Sequence, residues 1–524
     1  MQKKGLLLLL TAALASCGNS VVQIPFGYEL EEKNYNKNLW YRNDLEQHCA
    51  DPSVIFCEED NYYYMYMTSD DLGGSGFNVY RSKQLNYWEN LGPAYLPDPY
   101  SWAITRLWAP NAIKIGDTYY LYYSAYNHTT RRNGISVATS KTPYGPFHEY
   151  EGVDHYGNTI TRGDQIFEFG FSAIDAAPFK DDNGDLYLYY ARDQVNGVSE
   201  SWGVKLIDPV TADYSTNTRL TTPGKSSLDK TSYDLTWEIK TIGGKWNEAP
   251  FMIKLGNKYY LTYSANYFGV VEYSVGYAVG DSPLGTFVKP HSYATENLLL
   301  GVDPNDQSGS WDFMAGPGHH CFFYAGDELM IGYHAHTDRL FANSLRAFAL
   351  DSVALKGEKL YVNGPTYSLR PLPKSVSGFG NVAKDATITT DTLNDEELLI
   401  DDVIPMHMFN QEQVELQAQF EAGSHTITLD LETEKEVTAV AIYNSLDYET
   451  AVFSIDSVSI DGFGNATNVP LNQMYVGSEW EDPEYLRPGS PFIIEFTPTR
   501  TNKITITVGA NHDFALSEIV VLGR

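Results

Sequence analysis

Three acidic residues stand where acids are costly. Asp51 heads the apolar run "DPSVIFC", Asp175 heads "DAAPF" and Glu248 heads "EAPFMIKL". An ionised carboxylate at the head of a strand that buries its face must be paired, hydrogen-bonded or used. Taken singly, Asp51 and Asp175 read as turn caps and Glu248 as the partner of a surface lysine. Taken together, three carboxyls sharing one pocket would repel each other. At least one pKa would rise, so that an acid stays protonated near neutral pH beside an ionised base. That is the requirement for general acid and general base in one site.

The elements that would bring them together form a repeat. Five stretches share one pattern: "ADPSVIFCEEDNYYYMYMTSD" from Ala50, "WAPNAIKIGDTYYLYYSAYN" from Trp108, "DAAPFKDDNGDLYLYYARD" from Asp175, "KWNEAPFMIKLGNKYYLTYSAN" from Lys245 and "GPGHHCFFYAGDELMIGYHAH" from Gly316. Each has a proline, an apolar run, a turn rich in Gly, Asp or Asn, and an alternating aromatic strand, which reads as a hairpin. Further strand pairs such as "ISVATSKTPYGPF" and "VGYAVGDSPLGTF" give about four strands per unit. Lone hairpins are barely stable in water. A radial array of four-stranded units is a β-propeller, and five blades fit. Its innermost strands line a channel, so residues beside Pro52, Pro110, Pro178, Pro250 and Pro317 would converge: Asp51, Asn111, Asp175, Glu248 and the pair His319 and His320. Strand parity counted from the prolines puts Glu248 on the face opposite the two aspartates. As loop residues they need not obey it.

Around "SLRPLPKSVSGFGN" the repeat stops and Pro, Gly and Ser accumulate, as in a linker. The segments "HTITLDLE", "EVTAVAIYN", "FIIEFTP", "KITITVG" and "SEIVVLG" lack helical periodicity and predict a jelly-roll-like β-sandwich. The chain is thus all-β. It divides into an export signal (1–16), a tether (17–38), a five-bladed propeller (39–374) and a sandwich (375–524).

Composition narrows the partners. The chain has 524 residues, with 36 Lys plus Arg against 67 Asp plus Glu and a net charge of -31, a balance that repels nucleic acid and anionic membranes. Aromatics make up 14% of the chain, which suits strand packing and also stacking against flat ligand faces. "MQKKGLLLLLTAALASC" is a signal too short to span a bilayer. "LASC" resembles a bacterial lipobox, which implies a lipid on Cys17 and an exported protein anchored to a bacterial membrane, on the periplasmic face or the cell surface. Cys49, Cys57 and Cys321 are odd in number and lack CxxC spacing, which argues against a zinc site or disulfide framework. Buried free thiols are expected, with a Cys49 to Cys57 bridge as the alternative.

The motifs "ADPSVI", "WAPNAI", "IDAAPFKDDNG", "NEAPFMIK" and "GPGHH" resemble glycoside hydrolase family 43, over roughly Leu39 to Pro373. The resemblance implies inversion, with Asp51 as general base, Glu248 as general acid and Asp175 tuning and orienting Glu248. Inverting carboxyl pairs stand about 6.5–9.5 Å apart. His319 or His320, His319 by preference, resembles the family's axial histidine, which implies a water or a structural calcium in the channel and no required cofactor. Trp102, Trp108, Trp246 and Trp311 offer apolar walls for a sugar or simply pack. Arg346 or Arg339 offers donors to sugar hydroxyls or stays at the surface. The C-terminal part is similar to discoidin, or factor 5/8 type C, modules, also seen as carbohydrate-binding module family 32. That implies glycan binding, with structural support as the alternative.

The expected function is an exo-acting glycosidase releasing pentose, α-L-arabinofuranose first, from plant polysaccharide or oligosaccharide. The exo reading rests on the loop Leu96 to Trp108 as a pocket wall. The competing readings are a β-xylosidase or galactan-active enzyme of the same family, and a non-catalytic glycan-binding surface lipoprotein. A retaining fructosidase fits less well, because "IDAAP" and "NEAP" stand where such enzymes carry Arg-Asp-Pro and Glu-Cys.

Overall fold

The second strand of each hairpin explains why this chain is so rich in tyrosine. In Tyr62–Thr68, "YYYMYMT", every residue after the first is buried. Tyr63, Met65 and Met67 join Cys321, Phe323 and Met330 in one cluster, while Tyr64 and Tyr66 join Leu121, Tyr123 and Ala125 in another. Alternate side chains therefore serve two neighbouring sheets, as a blade packed on both faces requires. Bulky, flat rings fill that inter-blade space.

A computed structural model describes residues 28–32, 34–68, 75–229, 232–301, 314–337, 345–405, 415–477, 484–486 and 489–524. The signal segment, Cys17, Trp311 and Arg339 lie outside these residues. Five four-stranded units run in chain order, each with its strands paired sequentially. The first is Ala50–Cys57, Tyr62–Thr68, Phe77–Ser82 and Glu89–Tyr95, and the second is Trp108–Ile115, Thr118–Asn127, Arg132–Ser140 and His148–Glu149. The third is Ala173–Lys180, Leu186–Val195, Val198–Asp208 and Thr211–Arg219, and the fourth is Lys245–Leu255, Lys258–Ala265, Ser274–Gly280 and Leu298–Leu300. The fifth is Gly318–Ala325, Glu328–His336, Arg346–Lys356 and Lys359–Val362. Blades three and four are stitched by a short parallel pairing, Val198 with Lys245 and Ser199 with Trp246. The ring closes where residues 47–49 hydrogen-bond to Arg346 and Phe348 of blade five, with Cys49 N to Arg346 O at 2.9 Å and Phe348 N to Gln47 O at 2.8 Å.

The C-terminal sandwich is built on two long strands, Gly423–Asn444 and Pro491–Ala510, paired along most of their length. Register shifts between Asp430 and Lys435 and between Val437 and Ala439 break the ladder midway. Their outer halves pair with Ser454–Ile460 and Thr387–Thr389, and the other half of Gly423–Asn444 pairs with Phe514–Gly523. Strands that bend at bulges and switch layers make a sandwich from few chains. Apolar residues of both halves, among them Ile427, Leu429, Val440 and Ile442, share one core.

Two expectations change. The stretch expected as a linker is built in: Arg370–Pro371 pairs with Trp40–Tyr41, Lys374–Ser377 is helical, and Gly380–Asn381 pairs with the last strand. Part of the expected tether, Tyr28–Glu32, pairs with Gln473–Gly477 of the sandwich. Pro, Gly and Ser there mark sharp turns in a packed connection. Cys49, Cys57 and Cys321 are buried and form no disulfide.

Candidate active site

Each innermost strand begins with the same irregularity. Asp51 (φ 53), Ala109 (φ 50), Asp175 (φ 60), Ala249 (φ 48) and His319 (φ 45) all adopt left-handed backbone, and a register shift falls at each of them. Such a conformation costs a non-glycine residue about 1 kcal/mol or more, so five in register are a built feature of the fold. The bulge, not the proline, is the true register mark. Proline follows it directly in blades one, two and four, but Pro178 lies beyond it and Pro317 before it.

Aligned on the bulge, Glu248 stands one residue earlier than Asp51 and Asp175, level with Ala50, Trp108, Ile174 and Gly318. This removes the parity objection, because a bulge re-aims the side chains around it. Asn111 lines the channel with Asp51 and Asp175. It lies beyond the bulge, level with Ser53, whose hydroxyl donates to Asn111 Oδ1 at 3.5 Å. Ala109 holds the ring position in blade two.

The bulged backbone leaves one amide per blade to satisfy. Ala109 N donates to Thr68 Oγ1 (2.8 Å), Asp175 N to Ser124 Oγ (2.8 Å), His319 N to Ser264 Oγ (2.9 Å) and Asp51 N to His334 Nδ1 (3.2 Å). Each acceptor sits at the same cross-strand place in the preceding blade, opposite Ala50, Trp108, Glu248 or Gly318. In blade three that place is Ala191, opposite Ile174, and it carries no acceptor. Ala249 N donates instead to Asp175 Oδ2 at 3.0 Å. Asp175 thus grips the peptide that follows Glu248.

The carboxyls are about equally buried, at 7 % (Asp51), 7 % (Asp175) and 8 % (Glu248) exposure, but their surroundings differ. Asp51 Oδ1 lies 3.0 Å from Arg346 Nη1 and 3.2 Å from His319 Nδ1, and Thr68 Oγ1 donates to Oδ2 at 2.6 Å. Burial alone would raise its pKa, yet His319 and Arg346 hold the carboxyl well below the usual range. Burial pushes Asp175 up to about 6, opposed by His319 and helped by Asp51. Burial and then the charge of Asp175 push Glu248 well above its ordinary value, with one donor, Tyr273 Oη at 3.0 Å, acting against them. Tyr273 reaches Glu248 because residue 318 is glycine: a Cβ there would overlap the tyrosine ring. Their surroundings drive the two carboxyls in opposite directions, the division of labour that acid–base catalysis needs.

Behind Glu248 lies a buried network. Lys289 Nζ donates to Glu238 Oε2 (2.6 Å), Asn247 Oδ1 (3.0 Å) and Thr222 O (2.9 Å), and Tyr263 Oη donates to Glu238 Oε1 (2.6 Å). It fixes the residue preceding Glu248, as Asp175 fixes the one following. In sequence Lys289 reads as an ordinary surface lysine. Its burial, like the roles of Thr68, Ser124, Tyr273 and His334, carries no signal until the blades are aligned on their bulges.

Of the expected sugar walls, Trp108 and Trp246 are half-buried beside the ring, and Trp102 packs against the core shared by blades one and two. Loop 96–107 is pinned by Ser101 to Glu149 and by Trp102 N to Gly163 O at 3.3 Å. His319 faces Asp51, whereas His320 turns away to Thr262 Oγ1 at 2.6 Å. Calcium takes six to eight oxygen ligands. At His319 the carboxylate in reach, Asp51, is already engaged by Arg346 and Thr68, and among the described residues no cluster of His, Cys, Asp and Glu suits a metal. Protein side chains alone therefore do not complete a calcium shell at His319.

The profile of the glycosyl hydrolases family 43 matches residues 42–358. An extracellular endo-α-(1→5)-L-arabinanase of Thermotoga petrophila is 26% identical over 327 residues, covering 52% of this chain and 61% of the relative. The chain thus matches about three-fifths of that relative's length. An extracellular exo-α-(1→5)-L-arabinofuranosidase of Streptomyces chartreusis is 26% identical over 302 residues, covering 56% of this chain and 82% of the relative. The crystal structure of a thermostable family-43 glycoside hydrolase superposes with a TM-score of 0.53 at 30% identity, covering 64% of this chain and 99% of that one.

Proposed function

The chain belongs to glycosyl hydrolase family 43, and on that footing we propose that it is an inverting, exo-acting glycosidase. It releases a terminal pentose, α-L-arabinofuranose first, from plant polysaccharide or its oligosaccharides. The observation that carries the acid–base part of this reading is the contrast between Asp51, paired with Arg346 and His319, and Glu248, buried beside Asp175 with one phenol donor. Asp51 takes a proton from water as the water oxygen bonds to the anomeric carbon. Glu248 gives its proton to the glycosidic oxygen as the bond from that carbon breaks. Asp175 helps keep Glu248 protonated and positions it through the Ala249 amide.

Trp108, level with Glu248 on its strand, supplies an apolar wall, and Arg346 offers sugar hydroxyls a donor beside Asp51. Trp102, Asn111, Trp246 and Trp311 complete the proposed set. Names of relatives such as the exo-acting arabinofuranosidase support the sugar, while the endo-arabinanase among them makes exo action the finer point. Export with a lipid on Cys17 and glycan binding by a discoidin-like sandwich belong to the same proposal.

The test is hydrolysis of arabinofuranosides, xylosides and galactosides, followed by proton NMR of the first anomer released. Wild type is expected to give the inverted anomer from arabinofuranosides. Glu248→Gln and Asp51→Asn are each expected to lose about 10²–10⁴-fold in kcat/KM. A wild type as inert as Glu248→Gln on every glycoside, arabinan, xylan and galactan included, makes the protein a glycan-binding one.

A further inference from the structure

The segment that joins the second and third strands of blade four, residues 266–273, serves the site twice. At its end Tyr273 donates to Glu248 Oε1 at 3.0 Å. At its start Tyr267 and Phe268 leave 36 % and 37 % of their surface in water, with ring centroids 4.6 Å apart. Trp246, two residues before Glu248, continues the row with its ring 5.6 Å from Tyr267. At the other end the Arg346 guanidinium lies 5.1 Å from the centre of the Phe268 ring while donating to Asp51 Oδ1 at 3.0 Å. A half-exposed aromatic row therefore runs from the strand that carries Glu248 to the arginine that holds Asp51.

The row is held in place before any ligand arrives. Asn266 is buried, receives Lys240 N at 2.8 Å and donates to Trp237 O and Glu272 O, both at 2.9 Å. Tyr267 N donates to Thr241 Oγ1 at 3.1 Å, and the His336 ring meets Phe268 O at 2.8 Å. A Cβ at Gly244 would overlap the Trp246 indole, so glycine is what lets the ring lie there. Aromatic rings kept half in water on a fixed backbone bind flat apolar faces with little ordering cost. Sugars offer such faces in their C–H surfaces.

What lies over this row follows from the proton. Glu248 protonates the oxygen that stays with the leaving group, so the leaving group departs against Glu248 and the loop that holds it. We propose that Trp246, Tyr267 and Phe268 form a binding subsite for the sugar on the leaving side of the cleaved bond. The substrate is then an oligosaccharide or chain end that carries a second sugar ring. The inference rests on Glu248 being the acid.

Two substrates with the same terminal sugar test it: the oligosaccharide that wild type cleaves, and the corresponding glycosyl fluoride, whose leaving group has no ring. Tyr267→Ala is expected to lower kcat/KM on the oligosaccharide roughly tenfold, the scale of one aromatic stacking contact. On the fluoride it should stay within about twofold of wild type, and Tyr267→Phe should keep most of the activity on both. Equal losses on both substrates, or none on either, overturn the subsite while leaving the catalytic reading intact. A wild type inert on both overturns the two together.

Discussion

Asp51 and Glu248 differ by one methylene and are buried to a similar depth, so what separates them is the company each keeps. Asp51 has Arg346, His319 and Thr68 within 3.2 Å, whereas Glu248 has the phenol of Tyr273 and the field of Asp175. Their effects on stability should then have opposite signs. The pKa of Asp51 is depressed in the fold, so its contribution is complete above the unfolded value of about 4 and is lost as pH falls through the folded one. Asp51→Asn is expected to cost about 3 kcal/mol at pH 7, with the deficit shrinking below pH 4. The pKa of Glu248 is raised, so the native state binds the extra proton and stability declines as pH climbs above the unfolded value of about 4.3. Glu248→Gln should match wild type near pH 4 and be more stable by about 1–2 kcal/mol at pH 8, despite its loss of activity. Urea unfolding at both pH values measures this, and a Glu248→Gln variant less stable than wild type at pH 8 contradicts it. Activity should follow a bell in pH, with its acid limb from Asp51 and its alkaline limb from Glu248.

At the scale of the strand, the bulge and its amide set the site. Ser124 holds Asp175 N at 2.8 Å, and Asp175 in turn holds Ala249 N. Ser124→Ala leaves a buried amide without its acceptor, which costs about 1–3 kcal/mol. Because the freed aspartate lies next to the acid, kcat should fall about tenfold and the alkaline limb of the pH profile should shift. Thr68→Val, which frees Ala109 N and removes a donor from Asp51, should cost similar stability and move the acid limb instead. Thermal unfolding and pH profiles of both variants check the pair, and identical profiles for the two contradict the linkage. This scale also shows what could be read early. The five hairpins and the three acids were legible because apolar alternation and aromatic strands mark themselves. The bulge itself is not legible, because proline directly follows it in only three of the five blades. Nothing in "WAPNAI" says that Ala109 takes the left-handed turn. The acceptors Thr68, Ser124, Ser264 and His334 become visible only when strands distant in sequence are laid side by side.

At the scale of the molecule, sandwich and propeller share buried surface. Leu39, Trp40 and Leu369 pack with Ala439, Ala441, Tyr443, Val520 and Leu522 in one cluster, and Ala354 and Tyr361 of blade five lie within the sandwich core. Polar groups lock the same seam. Arg370 is buried with its guanidinium 4.7 Å from the Tyr443 ring centre, Tyr443 Oη donates to Leu369 O at 2.9 Å, and Trp40 Nε1 donates to Glu495 Oε1 at 2.9 Å. A tethered module would bury little with its neighbour and move freely. Here the segments that close the ring, residues 40–49 and 369–372, are themselves covered by the sandwich or run directly into covered residues. Removing the sandwich would bare Trp40 and Leu369 and leave Arg370 without its ring. Tyr443→Ala is accordingly expected to cost about 3–5 kcal/mol, by the loss of a buried ring and the exposure of Arg370. Glycosidase activity should be lost at the same temperature as the sandwich unfolds. Calorimetry of the full chain should show one transition for both parts, shifted as a unit by Tyr443→Ala. Two separate transitions, with activity following only the one that Tyr443→Ala leaves in place, would make the sandwich a detachable module and the seam incidental.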